Sequence, residues 1–209
     1  MKIGIIDYEA GNLTSVARAL SHFDIPWIIS SDTSELSKTD KIIFPGVGAA
    51  ASAMQSLKKY GLDEFLRHTY EKGVPILGIC LGTQIIFEES EEDGGTKTLG
   101  LLKGKVKRFP EPLEYQGERL KVPHMGWNKV SWKKDHPVFR GLDPDYEFYF
   151  VHSYYVVPED PGIIAGTTFY GIEFCSAIAV DNLVAVQFHP EKSGEPGLKI
   201  LKQFCEWNP

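Results

Sequence analysis

Short apolar runs alternate with stretches of helical periodicity through the first half of the chain. The apolar runs that predict buried strands are residues 2–7, 27–29, 41–44 and 74–80. The stretches that repeat apolar side chains at helical spacing are residues 13–23, 51–60 and 62–72. Because strands that alternate with helices form a parallel sheet covered on both faces, this half predicts an α/β fold. Functional residues are then expected at the carboxyl ends of the strands.

The pattern changes in the second half of the chain. Residues 99–157 are strand-like, rich in proline and aromatic residues, and show little helical periodicity. A further buried strand is predicted at residues 183–188 and a closing helix at residues 197–207. The predicted fold is a mostly parallel sheet flanked by helices, with an antiparallel extension, in a single domain that covers residues 1–209.

Composition narrows the choice of partners and compartment. The net charge of −6 argues against a nucleic-acid partner, because contacts to phosphates require a basic surface. The sequence shows neither an apolar run long enough to span a membrane nor the pattern of a secretory signal peptide, so we expect a cytoplasmic protein that does not bind membranes. The cysteines are Cys80, Cys175 and Cys205, an odd number without metal-ligand spacing. We therefore expect neither a metal nor another cofactor.

The strand at residues 74–80 runs into Gly78-Ile79-Cys80-Leu81-Gly82 and then into a helical pattern at residues 84–88. This is the pattern of a nucleophile elbow that carries cysteine, in which a Cβ at either glycine would collide with the neighbouring strand or helix. A helix N-terminus favours the thiolate form of such a cysteine. A buried structural cysteine is the alternative, and the flanking glycines weigh against it.

A cysteine nucleophile needs a base, and the base needs an acceptor that orients it. His189-Pro190-Glu191 follows the last predicted strand and supplies both groups. Since Pro190 disfavours helical backbone at His189, positions 189 and 191 are predicted to be extended, with their side chains on one face. A structural histidine at a strand end is the alternative. His152, which has no acid beside it, is interpreted as a pocket or structural residue.

Two further segments carry candidate chemistry. Residues 45–48 form a Pro-Gly-Val-Gly loop that resembles a dinucleotide fingerprint, but the acidic residues that should follow fall in a helix, so that interpretation is rejected. A loop that presents backbone N–H groups to an oxyanion, or a plain turn, fits better. Residues 122–128 contain His124, Met125 and Trp127 and predict a protein interface or, equally well, a core turn.

Together, residues 78–84 and 188–193 resemble the motifs of class I (triad) glutamine amidotransferases, over essentially the whole chain. Residues 4–13, 45–48, 123–128 and 149–154 are similar, more narrowly, to the glutaminase subunits of imidazole glycerol phosphate synthases. The resemblance implies glutamine hydrolysis that feeds ammonia to a cyclase subunit, a β/α barrel, in a heterodimer of histidine biosynthesis.

The resemblance also implies roles for individual residues. Cys80 would attack the glutamine amide, His189 would transfer protons and Glu191 would orient His189. The oxyanion would be held by backbone N–H groups of Leu81 and, after a peptide rearrangement, Val47. The implied glutamine-binding residues are Gly46, Gly48, Gln84, Glu92, Ser153 and Tyr154. The implied partner interface comprises Asn12, Pro123, His124, Met125 and Trp127.

Three alternatives remain at this point. A similar glutaminase could feed an amidine-forming enzyme of surface-sugar synthesis, or an elbow of this type could belong to a cysteine hydrolase or peptidase that acts alone. A non-catalytic interaction subunit is disfavoured by the intact Cys80, His189 and Glu191. The sequence departs from the family pattern at Glu9, where glycine is common, and at Thr83, where methionine is common.

Overall fold

The computed structural model describes residues 1–9 and 13–209. The strands are β1 (Ile3–Ile6), β2 (Trp27–Ser30), β3 (Lys41–Gly46), β4 (Ile76–Cys80), β5 (Glu89–Ser90), β6 (Thr96–Lys97), β7 (Gly104–Arg108), β8 (Leu113–Tyr115), β9 (Glu118–Leu120), β10 (His124–Lys129), β11 (Ser131–Trp132), β12 (Glu147–His152), β13 (Tyr154–Pro158), β14 (Ile164–Tyr170), β15 (Ile172–Val180) and β16 (Leu183–Val186). The α-helices are α1 (Leu13–Ser21), α2 (Thr33–Leu36), α3 (Ala50–Lys59), α4 (Leu62–Glu71), α5 (Leu81–Ile85) and α6 (Gly194–Glu206). Short 3₁₀ turns span Glu92–Gly94, Pro137–Phe139, Pro161–Ile163 and Pro190–Lys192.

The main sheet has the strand order β2-β1-β3-β4-β16-β15-β13-β7-β5-β6 in the described part of the chain, with β14 and β11 attached at β15. Its first part, from β2 to β16, is parallel. The strands from β15 through β13 to β7 pair antiparallel, and β10 with β12 forms a separate antiparallel pair. The predicted fold, a mostly parallel sheet with flanking helices and an antiparallel extension, is confirmed.

The parallel strands bury side chains on both faces, which explains why their sequences are continuous apolar runs. Ile43 packs in one cluster with residues of α1 and α6, while its neighbours Ile42 and Phe44 pack in the other cluster with α3, α4 and α5. The carboxyl ends of β3, β4 and β16 therefore meet at one edge of a fully covered sheet.

Several helix boundaries differ from the predicted ones. The helix after the elbow is α5, which ends at Ile85 instead of covering residues 84–88, because the chain turns there into β5. The closing helix α6 begins at Gly194 rather than at residue 197. Helix α2 was not predicted, and its start depends on Asp32, whose carboxylate accepts a hydrogen bond from the Ser34 N–H at 2.7 Å.

Lys41 shows how the closing helix is held on the sheet. Its side chain is buried, and its ammonium group donates to the carbonyl oxygens of Phe204, Cys205 and Trp207. These carbonyls lie at the C-terminal end of α6, where a helix lacks internal donors. No helix within residues 1–9 and 13–209 is long and apolar enough to cross a membrane.

Candidate active site

Cys80 is the last residue of β4 and immediately precedes α5. Its backbone has φ 55° and ψ −108°, a conformation that non-glycine residues rarely adopt and that the surrounding structure must hold in place. The residue is 6% exposed. The strand, the strained cysteine and the helix together have the geometry of a nucleophile elbow.

The two glycines of the elbow are required by close packing. A Cβ at Gly82 would overlap the carbonyl oxygen of Phe44 on β3, and a Cβ at Gly78 would lie 3.0 Å from the Cβ of Ala185 on β16. The predicted collision is therefore confirmed at Gly82, whereas a Cβ at Gly78 would make a tight contact with β16. Helix α5 can begin directly against β3 because Gly82 lacks a side chain.

His189 follows β16, the strand that pairs with β4, so it comes to the same sheet edge as Cys80. Its Nδ1 lies 2.8 Å from Oε1 of Glu191, and both side chains are 2% exposed. Residue 191 was predicted to be extended, which is wrong, because Pro190–Lys192 forms a 3₁₀ turn. The turn still carries the carboxylate back under the imidazole ring.

The remaining imidazole nitrogen, Nε2 of His189, is buried and has no hydrogen-bond partner in the described part of the chain. Burial by itself would lower the pKa of His189, but interactions with Cys80 and Glu191 outweigh burial and raise it to about 10. The ring is therefore oriented on one side by Glu191 and can exchange a proton on the other side.

A pocket of about 410 Å³ opens above these groups. It is lined by Val47, Gly48, Cys80, Leu81, Gln84, Glu92, Pro123, Val151, His152, Ser153, Tyr154 and His189. The structure thus brings together nearly all the catalytic, oxyanion and glutamine-binding residues expected from the sequence. The two that do not line the pocket are Glu191, which lies behind His189, and Gly46, which is buried in β3 opposite Cys80.

Two polar side chains of the pocket are already engaged with the protein. The side-chain amide nitrogen of Gln84 donates to the Tyr154 carbonyl at 3.0 Å and to Oε1 of Gln187 at 3.1 Å. Oε2 of Glu92 accepts from the Ala50 N–H at 2.7 Å, and burial raises the pKa of Glu92. Gln84 has both its N–H donors in use, so only its oxygen is left to accept from a ligand.

Sequence reasoning missed Gln187 and Val151. Gln187 is fully buried beside Gln84 and Cys80, and the Val151 carbonyl lies 4.0 Å from the Cys80 sulfur. An amide inside the apolar run at residues 183–188 was a signal for Gln187. Val151 acts through its backbone, which its residue type does not reveal.

The expected interface residues divide into two groups. Pro123, Met125 and Trp127 are exposed, with exposed fractions of 62% for Met125 and 53% for Trp127. The His124 side chain, in contrast, is 2% exposed, and its place at the interface stays a prediction. Alternate residues of a strand face opposite sides, so β10 turns Met125 and Trp127 outward and His124 inward. Asn12 lies outside the described residues.

The two departures from the family pattern have local explanations. Glu9 adopts φ 66°, and its carboxylate accepts from the Tyr60 hydroxyl and pairs with Lys59 at 3.1 Å on the surface. Thr83 is buried and donates to the Val186 carbonyl at 2.6 Å. Among the described residues, no group of three or more His, Cys, Asp or Glu side chains could hold a metal ion.

Comparison with known proteins identifies the class. The family model described as "Glutamine amidotransferase class-I" matches residues 4–207. A solved structure titled "Structure of PurLQS from Thermotoga maritima" is similar in fold, with a TM-score of 0.74 at 16% identity, covering 98% of this chain and 97% of that chain. The chain belongs to the class-I glutamine amidotransferase family, and the predicted glutamine-hydrolysing enzyme class is confirmed.

Similarity to curated proteins shows to which group within this family the chain belongs. The chain is 48% identical to "Imidazole glycerol phosphate synthase subunit HisH" of Acinetobacter baylyi, over 99% of this chain and 98% of that protein. It is 50% identical to the protein of the same name from Maridesulfovibrio salexigens, over 98% of this chain and 96% of that protein. Within the class it therefore groups with the imidazole glycerol phosphate synthase subunits HisH, and the narrower resemblance is confirmed.

Proposed function

We propose that this chain is the glutaminase of an imidazole glycerol phosphate synthase. It hydrolyses glutamine to glutamate and ammonia in the pocket above Cys80 and passes the ammonia to a cyclase subunit in histidine biosynthesis. The observation that carries the proposal is the convergence of Cys80, His189, Gln84 and Glu92 on one pocket, with Glu191 behind the imidazole. The identity with HisH subunits over almost the full chain supports the same conclusion.

The covalent chemistry follows from the order of these groups. The Cys80 sulfur attacks the side-chain amide carbon of glutamine, and the proton held at Nε2 of His189 passes to the departing nitrogen, which leaves as ammonia. His189 then takes a proton from water as that water attacks the thioester, which releases glutamate and restores the thiol. Glu191 accepts from the Nδ1–H throughout and favours the charged imidazolium.

Backbone N–H groups stabilise the negatively charged oxygen of the tetrahedral intermediate by hydrogen bonds. Leu81 is the first residue of α5, where the N–H groups lack helical partners, and it directly follows Cys80. Val47 precedes Gly48, whose φ of +99° suits glycine, so the peptide at residues 46–48 can rearrange at low steric cost. We propose that the Val47 N–H joins the oxyanion site only after this rearrangement.

Glutamine itself is held by its α-amino and carboxylate groups. The carboxylate of Glu92 and the free oxygen of Gln84 are acceptors suited to an ammonium group. The backbone at Ser153 and Tyr154 and the N–H groups near Gly46 and Gly48 complete the proposed binding site. We expect specificity for glutamine because a ligand that lacks the amino-acid head would give the Gln84 oxygen and the Glu92 carboxylate no ammonium group to bind.

We place the partner, a cyclase of the β/α-barrel type in a heterodimer, on the surface formed by Pro123, Met125 and Trp127. Exposed Met and Trp are typical of interface centres. A groove of about 900 Å³ adjoins this surface, lined in part by Val122, Pro123, Met125 and Tyr170. The three cysteines are unpaired and buried, which suits a reducing cytoplasm.

The test is glutamate release from glutamine by the purified chain, first alone and then with the cyclase subunit and its ribonucleotide ligand. We expect low activity alone, because the absence of one oxyanion donor costs on the order of 10²–10³ in rate. The liganded complex should be fast, and Cys80→Ala should abolish that activity. Equal rates with and without the liganded partner would reject the partner-dependent oxyanion site. Full activity in Cys80→Ala would reject the catalytic assignment.

A further inference from the structure

Gln187 is a fully buried amide between two apolar residues, Val186 and Phe188, and the proposed chemistry assigns it no role. Its backbone N–H donates to the Ser176 carbonyl at 2.9 Å, which fixes it to β15 one position beyond the end of β16. A buried amide is unfavourable unless its polar atoms are paired. The partners of its side chain therefore indicate what it does.

The orientation of this amide follows from a chain of hydrogen bonds. The Tyr154 carbonyl can only accept, so the Gln84 atom that faces it at 3.0 Å must be the amide nitrogen. The second N–H of Gln84 points at Gln187 across 3.1 Å, so the Gln187 atom there must be the oxygen. The Gln187 amide nitrogen is thereby turned toward the Cys80 sulfur, 3.9 Å away.

The Val151 carbonyl oxygen lies 4.0 Å from the sulfur on another side, and it can accept from a thiol but repels a thiolate. The titratable groups around Cys80 include His189, His152 and Glu92, which line the same pocket, and Tyr8, which is fully buried and interacts electrostatically with Cys80. Gln187 differs from all of them because its N–H is a permanent donor at any pH. A negative sulfur would attract that donor more strongly than a neutral one does.

We propose that Gln187 is a further residue of the catalytic machinery, which holds the Cys80 sulfur in place and stabilises its thiolate. Gln84 keeps the Gln187 donor aimed at the sulfur, so the residue proposed to hold glutamine is also the one that orients the nucleophile's donor. The kinetic part of this inference rests on the proposed glutaminase function, whereas the effect on the thiolate does not.

The first test is the pH dependence of Cys80 alkylation by iodoacetamide, read by mass spectrometry of the Cys80 peptide. The other cysteines should react slowly, because burial raises the pKa of Cys175 and of Cys205 to about 12. Gln187→Met keeps the side-chain length and removes the donor, and we expect the alkylation midpoint to rise by about one pH unit. An unchanged midpoint in a folded variant overturns the proposal.

Gln187→Glu serves as a second variant, since it preserves both the shape and the acceptor for Gln84. Its ionised carboxylate can only accept and repels a thiolate, so the midpoint should rise again, and an unchanged or lower value overturns the proposal. Ser176→Ala is the matched control: it removes a buried hydroxyl on the neighbouring strand whose hydrogen-bond partner is Thr168, at 2.8 Å. Its midpoint should equal that of the wild type.

Steady-state kinetics of the complex with the cyclase subunit provide the second readout. Gln187→Glu, which keeps the acceptor for Gln84, should lower kcat about tenfold and change KM less than threefold, because the lost contact is to the nucleophile and not to glutamine. An unchanged kcat beside an active wild type would overturn this inference alone. A wild-type complex that releases no glutamate would instead overturn the proposed function, and the alkylation result would still decide the role of Gln187.

Discussion

His124 and His152 share a hydrogen bond whose direction the surrounding structure determines. Nδ1 of His124 lies 3.0 Å from Nε2 of His152, and Nδ1 of His152 lies 2.8 Å from the Tyr154 carbonyl. Since that carbonyl only accepts, His152 carries its proton on Nδ1 and accepts from His124 at Nε2. The Asn128 amide, 3.3 Å from Nε2 of His124, completes a chain from the outer strand β10 to the glutamine pocket.

This arrangement predicts a stability that decreases in acid. Burial lowers the pKa of His124 to about 4 and that of His152 to about 3. In the unfolded chain a histidine has an ordinary pKa near 6.5, so between about pH 4 and pH 6.5 the unfolded chain binds more protons than the folded one. The contribution of these histidines to stability is therefore complete above about pH 6.5 and falls as the pH drops toward 4. Between pH 7 and pH 5 each histidine should contribute a loss of about 2 kcal/mol.

Urea unfolding of the wild type and of His124→Gln at both pH values measures this effect. The variant should lose about 2 kcal/mol less than the wild type over the same pH interval. Equal losses would contradict the assignment of a neutral buried His124. An NMR spectrum that shows a charged His124 at pH 6 would contradict it as well.

The packing of the elbow makes a second prediction. Gly82→Ala places a methyl group into the Phe44 carbonyl, and the collision is with backbone, which cannot move aside cheaply. We expect destabilisation of about 3 kcal/mol or more, or failure to fold, measured by urea unfolding. Gly73→Ala is the control: it has open space and φ +73°, so only backbone strain of about 1 kcal/mol applies. Similar losses at the two positions would show that the close approach to β3 is unimportant.

Glu191→Gln isolates the effect of charge behind His189. The amide fits the same space but no longer stabilises the imidazolium, so kcat of the complex should fall by on the order of 10²–10⁴. KM should change little, because Glu191 does not line the pocket. The raised pKa of His189 should decrease, which NMR titration of the ring can measure.

Glu195→Gln provides the control for that substitution. It makes the same change on an exposed residue in the first turn of α6 and should leave kcat and the His189 titration unaltered. If Glu191→Gln behaved like Glu195→Gln, Glu191 would not orient the base.

The surface of Pro123, Met125 and Trp127 gives a prediction about assembly. Trp127→Ala should weaken binding to the cyclase subunit about 10–100-fold in Kd, as truncation of a central aromatic residue typically does. The stability of the isolated chain should change little, because Trp127 is 53% exposed. Val157→Ala, at another exposed apolar residue, is the control and should not affect binding measured by titration calorimetry. Unchanged affinity in Trp127→Ala would place the interface elsewhere.

Local sequence was sufficient wherever a short segment carries its own geometric requirement. The glycines at 78 and 82 can be interpreted without the fold because a sharp strand-to-helix turn excludes side chains at both positions. His189 and Glu191 are likewise only two residues apart, so their side chains meet even though the prediction of extended backbone at residue 191 was wrong. The alternation of strands and helices determined the fold class for the same reason, since periodicity is a local property.

Only the tertiary structure decided which face of β10 is covered and what Gln187 contacts. A strand pattern with polar and apolar residues on both faces does not state which face meets the core, and the register of β10 with β12 turned His124 inward against His152. Gln187 receives its partner Gln84 from 103 residues away. The amide inside an apolar run marked Gln187 as unusual, but its partner depends on how distant strands pair, which no local segment determines.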